Sequence, residues 1–306
     1  MGGIAIFLYL AFPSRCVIIL GMNPAEQLLE DRLLKFAAHP AIRDARMYAH
    51  REQQECMADV SAVLQELFPQ LFEFPVNVSW RSVGPYVNWE TWESDRYICL
   101  SSDTNSFFYA QIAFQLFHEL AHLAIGYTPD THWERHGERR NITAWFPETI
   151  CIALSYVGLS RLTDAWKTSN TSWKRSFSYS FMDNRYENVN NQIRKLGPVP
   201  VDVSAYLRQY AVDRLKTNYN DKTVHGALAI RVAEMIEEHL SKDVRSVLSL
   251  TSVETHTHND RGSHFQFTDI QSWVDSQNNE HGKKDLAADI YGYLHGIDVR
   301  LTEFVP

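Results

Sequence analysis

Cysteine and positive charge are both scarce in this sequence of 306 residues. The 29 Lys and Arg residues are outnumbered by 37 Asp and Glu residues, which gives a formal net charge of -8. Nucleic-acid binders need a positive field that gathers phosphates, so a nucleic-acid partner is not expected. The 4 cysteines form no Cys-x-x-Cys pair, which excludes a zinc ribbon and a small disulfide framework and favours reduced thiols in a cytoplasmic protein. The sequence also lacks a glycine-rich phosphate loop and the usual serine or cysteine nucleophile motifs.

The sequence has one long apolar run, at residues 3–20, and Pro13-Ser14-Arg15 interrupts it. No basic segment precedes this run, no small-residue cleavage site follows it, and each half is too short to cross the ~30 Å hydrocarbon core of a bilayer. Two short strands, or an extension ahead of a start at Met22, are the favoured interpretations; a targeting segment or a membrane anchor is the alternative. A membrane partner is not expected.

Apolar residues recur at helical spacing over much of the chain. The predicted helices are Pro24 to Phe72 in two pieces broken at His39-Pro40, Ser106 to Ala124, Phe146 to Leu162, Ser204 to Leu215, Thr223 to Leu240 and Asp285 to Leu294. Residues 242–282 are polar and are expected to be irregular. We expect an uncertain extension at 1–21, the first half of the fold at 22–165, and a mainly helical C-terminal region at 166–306, with the boundary in the Ser- and Asn-rich stretch 167–198.

Two short segments have the period of a strand rather than that of a helix. Residues Phe74 to Trp80 alternate between apolar and polar, and Arg96 to Leu100 is a β-branched and aromatic run. These segments predict a small sheet directly before residue 105. The predicted fold class is therefore α+β, with this sheet packed on the helix that follows it.

The chemistry is concentrated in His118-Glu119-Leu120-Ala121-His122. Residues four apart lie on one face of a helix, so the two imidazoles can both reach one metal ion ~2.0 to 2.1 Å away. Glu119 stands one position round the helix, where it flanks the ion and can serve as a general base for a zinc-bound water. The flanking residues from Gln115 to Ala124 are uncharged, which predicts a buried helix in which unpaired His and Glu side chains would be costly.

A catalytic zinc usually takes three protein ligands, so one more is expected elsewhere in the chain. The best candidate is Glu148, because a carboxylate at the start of an apolar helix needs a positive partner. Position 128 is Thr128, which excludes the spacing of a metzincin. Three other candidates for the third ligand remain open, namely Cys99, His132 and His136. Cys151, one turn after Glu148, is interpreted as a core thiol.

The motif His118-Glu119-x-x-His122 followed by Glu148 resembles the gluzincin branch of the zincin metallopeptidases, and is most similar to the small zincins of the ImmA/IrrE type. The likeness covers about residues 74–162, under a third of the chain. It implies a zincin-like core, a Zn²⁺ cofactor bound by His118, His122 and Glu148, and Glu119 as the base for hydrolysis of a peptide bond. The large C-terminal region suggests narrow selectivity for a protein or peptide substrate.

The same resemblance implies that the strand containing Tyr97 and Cys99 is the edge that a substrate peptide joins by strand addition. Thermolysin-like enzymes also carry an acidic residue one turn after the third ligand, which orients a ligating histidine. Position 152 is Ile152, so this orienting role has no candidate in the sequence.

The donor that stabilises the developing oxyanion is left open by the sequence. Tyr156 and His225 are the leading candidates, with Tyr127, His132 and His136 as others.

Two functions from other classes also remain open. One is a non-catalytic interaction module that zinc stabilises, and the other is a zinc hydrolase of a small non-peptide amide such as a formyl group. The presence of Glu119 favours an enzyme over a purely structural site.

Overall fold

A computed structural model describes thirteen stretches of the chain. They are residues 18–20, 40–69, 76–81, 85–87, 97–101, 109–125, 140–141, 145–196, 222–251, 257–259, 265–268, 270–277 and 286–294. The helices in these stretches are α1 (Pro40–Leu67), α2 (Tyr109–Ala124), α3 (Trp145–Lys167), α4 (Ser172–Leu196), α5 (Lys222–Lys242), α6 (Ile270–Gln277) and α7 (286–294), with a 3₁₀ helix at Val244–Leu250.

α2, and α3 as far as residue 159, are buried on nearly all sides. From residue 145 to residue 159 only Glu148 and Ile152 are less than fully buried, and Pro147 lies in the first turn, where its missing N–H costs nothing. Hydroxyl groups inside α3 are satisfied locally, since Thr149 Oγ1 donates to the carbonyl of Trp145 at 2.7 Å. The burial of α2 confirms the interpretation of its uncharged sequence.

The strands are short, with two to six residues each. They are β1 (Ile18–Leu20), β2 (Val76–Arg81), β3 (Tyr86–Val87), β4 (Tyr97–Ser101), β5 (Arg140–Asn141), β6 (Thr257–Asn259) and β7 (Phe265–Thr268). β2 pairs in parallel with β1 and β4, β3 pairs antiparallel with β4, and β7 pairs with β5 and β6.

The predicted fold class, α+β with a small sheet as a zincin-like core, is wrong. In the described part of the chain the core is helical, and the strands supply only three of its buried apolar side chains, Val78, Ile98 and Leu100. Alternation over five or six residues marked extended backbone, but segments this short bury little apolar surface beside helices of 16 to 28 residues. The described part of the chain is mainly helical.

Contacts along the chain divide it into two units, 1–120 with 161–181 and 121–160 with 182–306. The first unit contains an aromatic cluster in which Trp166 packs edge-on against Trp173 and Phe181. The indole N–H of Trp166 donates to Asp59 at 2.8 Å, and Asp59 also pairs with Lys174 at 2.5 Å. These contacts hold α1 to the end of α3 and the start of α4.

The second unit is organised around an ion pair between helices. The Arg185 guanidinium on α4 donates to the Glu237 carboxylate on α5 through Nη1 at 2.5 Å and Nη2 at 3.1 Å, and it also donates to Ser160 Oγ on α3. Three helices of this unit are therefore joined by one guanidinium. A separate apolar contact places the ring of Phe146 5.4 Å from that of Trp273 on α6.

Several other predictions have clear outcomes. α2, α3, α5 and α7 fall where the periodicity predicted helices, whereas residues 167–198, expected to contain a boundary, include the 25-residue helix α4. Residues 242–282, expected to be irregular, include the 3₁₀ helix, β6, β7 and α6. The predicted helix Ser204 to Leu215 and the first predicted piece, before Pro40, lie outside the described residues. Among the helices described, none combines the length and apolar character required to cross a bilayer.

Candidate metal centre

Helix α2 carries both histidines of the motif on successive turns. His122 is buried, at 4% exposure, while His118 is partly exposed on a stripe that also contains Gln111 and Phe114. The helix is continuous from Tyr109 to Ala124, so the spacing of four residues places both imidazoles on one face, as the sequence predicted.

Helix α3 brings Glu148 to the same place. Its side chain, 27% exposed, is one of the two that interrupt the burial of α3 between residues 145 and 159, and its Oε1 lies 3.7 Å from His122 Nε2. A residue 26 positions away in sequence is thus the neighbour of the motif histidine, and the carboxylate is also placed favourably in the first turn of its helix.

The three side chains form a group that could hold a metal ion. One ligand atom from each of His118, His122 and Glu148 lies within 4.8 Å of the other two. Ligands ~2.1 Å from a tetrahedral ion stand about 3.4 Å apart, so the 3.7 Å separation of His122 Nε2 and Glu148 Oε1 needs only a small adjustment. Two imidazole nitrogens and one carboxylate oxygen are also the donor set of known catalytic zinc sites, with a fourth position left for water or substrate.

Glu119, the carboxylate of the motif, is buried, at 3% exposure. It follows His118 directly on α2 and is not part of the three-residue group. A buried carboxylate is shielded from bulk water, so it needs compensation inside the protein.

One residue of the site was missed as a functional candidate by the sequence analysis. The Sγ of Cys151 lies 3.3 Å from His122 Nδ1, and both groups are buried. The residue that orients a ligating histidine was expected at position 152, whereas the structure places residue 151 beside the imidazole of His122. The available signal was that Cys151 stands three residues after Glu148, which puts both on one face of α3.

The two leading candidates for the oxyanion donor lie elsewhere on the helices. Tyr156 is eight residues after Glu148 on α3, about 12 Å further along the axis. Burial raises the pKa of its phenol to about 12, although the nearby Arg185 guanidinium opposes this rise. His225 is buried, at 1% exposure, in the first turn of α5. His225 is not part of the group of three ligands.

Tyr97 and Cys99 lie on β4, as predicted, but β4 is not a free edge at Cys99. Cys99 is paired with Ser79 of β2 on one side and with Tyr86 of β3 on the other. The open edge that strand addition requires is therefore lacking at Cys99. The other candidates for ligands or donors, Tyr127, His132 and His136, lie outside the described residues.

Comparison with known proteins adds no relative. No protein-family model, curated protein or solved structure matches this chain.

Proposed function

We propose that this protein is a zinc-dependent metallopeptidase that hydrolyses peptide bonds in a protein or peptide substrate. The observation that carries the proposal is the convergence of His118, His122 and Glu148, from two helices, on one point. Two buried or partly buried histidines and a carboxylate at this separation have a ready physical role as ligands of one divalent ion.

The chemistry that zinc supplies when bound is to polarise a carbonyl and to lower the pKa of a coordinated water toward ~7. His118 and His122 would hold the ion through neutral imidazole nitrogens, and Glu148 would offset part of its charge. Glu119, on the same helix, would accept a proton at its carboxylate during attack on the scissile carbonyl and return it to the leaving amine.

The buried Glu119 also favours a hydrolase over a zinc site that only stabilises the fold. A structural site is closed by four protein ligands and has no use for a buried carboxylate beside them. Three ligand side chains with an adjacent carboxylate are the arrangement of an open, catalytic site. We further propose a cytoplasmic location, since Cys56 and Cys151 are free thiols.

The experiment that tests the proposal measures zinc and peptidase activity together. Wild type, Glu148→Ala and Glu119→Gln are purified identically, and zinc per chain is determined by elemental analysis. We expect about one zinc in wild type and in Glu119→Gln, and most of it lost in Glu148→Ala. In a peptide-library assay, Glu119→Gln should lose ~10²-fold to 10⁴-fold in rate because the general base is removed.

A matched control comes from the same helix. Asp164 of α3 is 80% exposed, so Asp164→Ala should keep both zinc and activity. Full zinc in Glu148→Ala would overturn its ligand role and move the test to Cys99, His132 and His136. A wild type that takes up no zinc would contradict the proposal as a whole, and activity confined to formylated peptides would contradict the peptidase assignment.

A further inference from the structure

The imidazole of His122 has a different neighbour at each of its two nitrogens. Nε2 faces Glu148 Oε1 at 3.7 Å, and Nδ1 faces Cys151 Sγ at 3.3 Å, within hydrogen-bonding range for sulfur. A neutral imidazole carries its proton on one nitrogen and offers a lone pair on the other. The two nitrogens are therefore set up for different tasks.

Both neighbours come from a single turn of α3. Glu148 and Cys151 are three residues apart, so they lie on the same face of the helix and span the ring of His122 between them. Residues 149, 150 and 151 are fully buried, so close packing around this turn restricts its movement within the protein.

We propose that Cys151 is a positioning residue of the metal centre: its sulfur accepts a hydrogen bond from Nδ1–H of His122 and so directs Nε2 toward the ion. This inference rests on the proposed zinc site and goes beyond it. In known metal sites, ligating histidines usually donate their second N–H to a carboxylate, a carbonyl or water, and loss of that partner typically costs 10-fold to 100-fold in metal affinity or activity. In this protein the sulfur of Cys151 takes the place of the acidic residue expected at position 152, where the sequence has Ile152.

Sulfur is a weak acceptor compared with a carboxylate. The hydrogen bond therefore fixes the orientation of the ring while adding little to its basicity, and it adds no further acidic group to a turn that already contains Glu148. We expect orientation, rather than charge, to be the contribution of Cys151.

The test compares zinc affinity, measured by chelator competition, in wild type and three variants. Cys151→Ala should weaken zinc binding ~10-fold to 100-fold. Cys151→Ser retains a hydrogen-bonding oxygen and should recover part of this loss. Cys56→Ala is the matched control, because Cys56 is also a fully buried thiol and its sulfur faces the Tyr109 carbonyl, at 3.7 Å, rather than a histidine. Cys56→Ala should leave the zinc affinity within about 2-fold of wild type, whatever it does to stability.

A packing role and a positioning role give different results. If Cys151 only filled space, Cys151→Ser would bind zinc no better than Cys151→Ala, and that result would overturn the proposal. Wild-type affinity in Cys151→Ala would also overturn it, and this failure would leave the zinc site itself intact. A wild type that binds no zinc would overturn the proposed function and the inference together.

Cobalt substitution separates a positioning sulfur from a ligand sulfur. The cobalt-loaded wild type should lack the intense near-ultraviolet charge-transfer band of a cobalt–thiolate bond. A band that is present in wild type and lost in Cys151→Ala would make Cys151 a ligand and would contradict its positioning role. If Cys151→Ala fails to fold, the cobalt spectrum of wild type and the zinc affinity of Cys151→Ser still decide the question.

Discussion

Burial of ionisable side chains is the main observation at the scale of single residues. Glu119 and His122 are 3% and 4% exposed, so each must be compensated inside the protein. A divalent ion beside them would compensate the carboxylates of Glu119 and Glu148 at once, while the imidazoles bind it in their neutral form. The proposed ion therefore accounts for the composition of the site without any further assumption about its substrate.

Two buried tyrosines give a prediction for alkaline pH. Burial raises the pKa of Tyr156 to about 12, and burial together with a hydrogen bond to Glu52 raises the pKa of Tyr109 well above its ordinary value. Between pH 10 and 12 the unfolded chain loses these protons more readily than the folded protein does. The free energy of unfolding should therefore be unaffected by these groups below pH ~10 and should fall as the pH rises above it.

Urea unfolding at pH 8, 9, 10 and 11 measures this fall. Tyr156→Phe should make it shallower, because one of the two groups is removed. Tyr179→Phe is the control, since Tyr179 is 66% exposed, and it should reproduce the wild-type slope. An identical slope in Tyr156→Phe and wild type would contradict the assignment.

At the scale of helices, one ion pair joins α4 to α5. Arg185 binds Glu237 through two nitrogens and also donates to Ser160 of α3, so its removal breaks these three hydrogen bonds and leaves Glu237 with the weaker donor Ser160 Oγ, at 3.2 Å. Arg185→Ala should lower the free energy of unfolding by about 1 to 3 kcal/mol. Arg231→Ala removes an exposed pair with Glu234 on one helix and should change it by less than about 0.5 kcal/mol. Equal effects of the two substitutions in urea unfolding would contradict this account.

The helices also show which parts of the fold the sequence could predict. α2, α3 and α5 are rich in apolar residues because they are largely buried, and their extents were predicted closely. α4 was missed because most of its side chains are exposed and many are Ser or Asn, so its sequence has no clear apolar repeat at helical spacing. The fold class failed for the opposite reason, since two short alternating segments received more weight than the helices that form the core.

Prediction of the site was limited in the same way. The spacing of His118, Glu119 and His122 is local, so the sequence alone could place them on one helix face. Glu148 was inferred from its apolar surroundings and from the family resemblance, but its 3.7 Å approach to His122 depends on how α3 packs. The contact between Cys151 and His122 depends on the same packing, and spacing indicates only that Cys151 shares a helix face with Glu148.

At the scale of the whole molecule, zinc should appear as a contribution to stability. An ion that binds only the folded chain stabilises it by ~2.7 kcal/mol at a free concentration 100 times its Kd. The midpoint of thermal unfolding should then rise by about 5 °C in wild type and fall again when a chelator is added. Glu148→Ala should show almost none of this rise, because one of the three ligands is lost. Magnesium, which prefers oxygen ligands, should give no comparable shift in wild type. Thermal scans of both proteins with zinc, with magnesium and with chelator decide the matter, since an equal zinc shift in wild type and Glu148→Ala would place the binding site elsewhere on the chain.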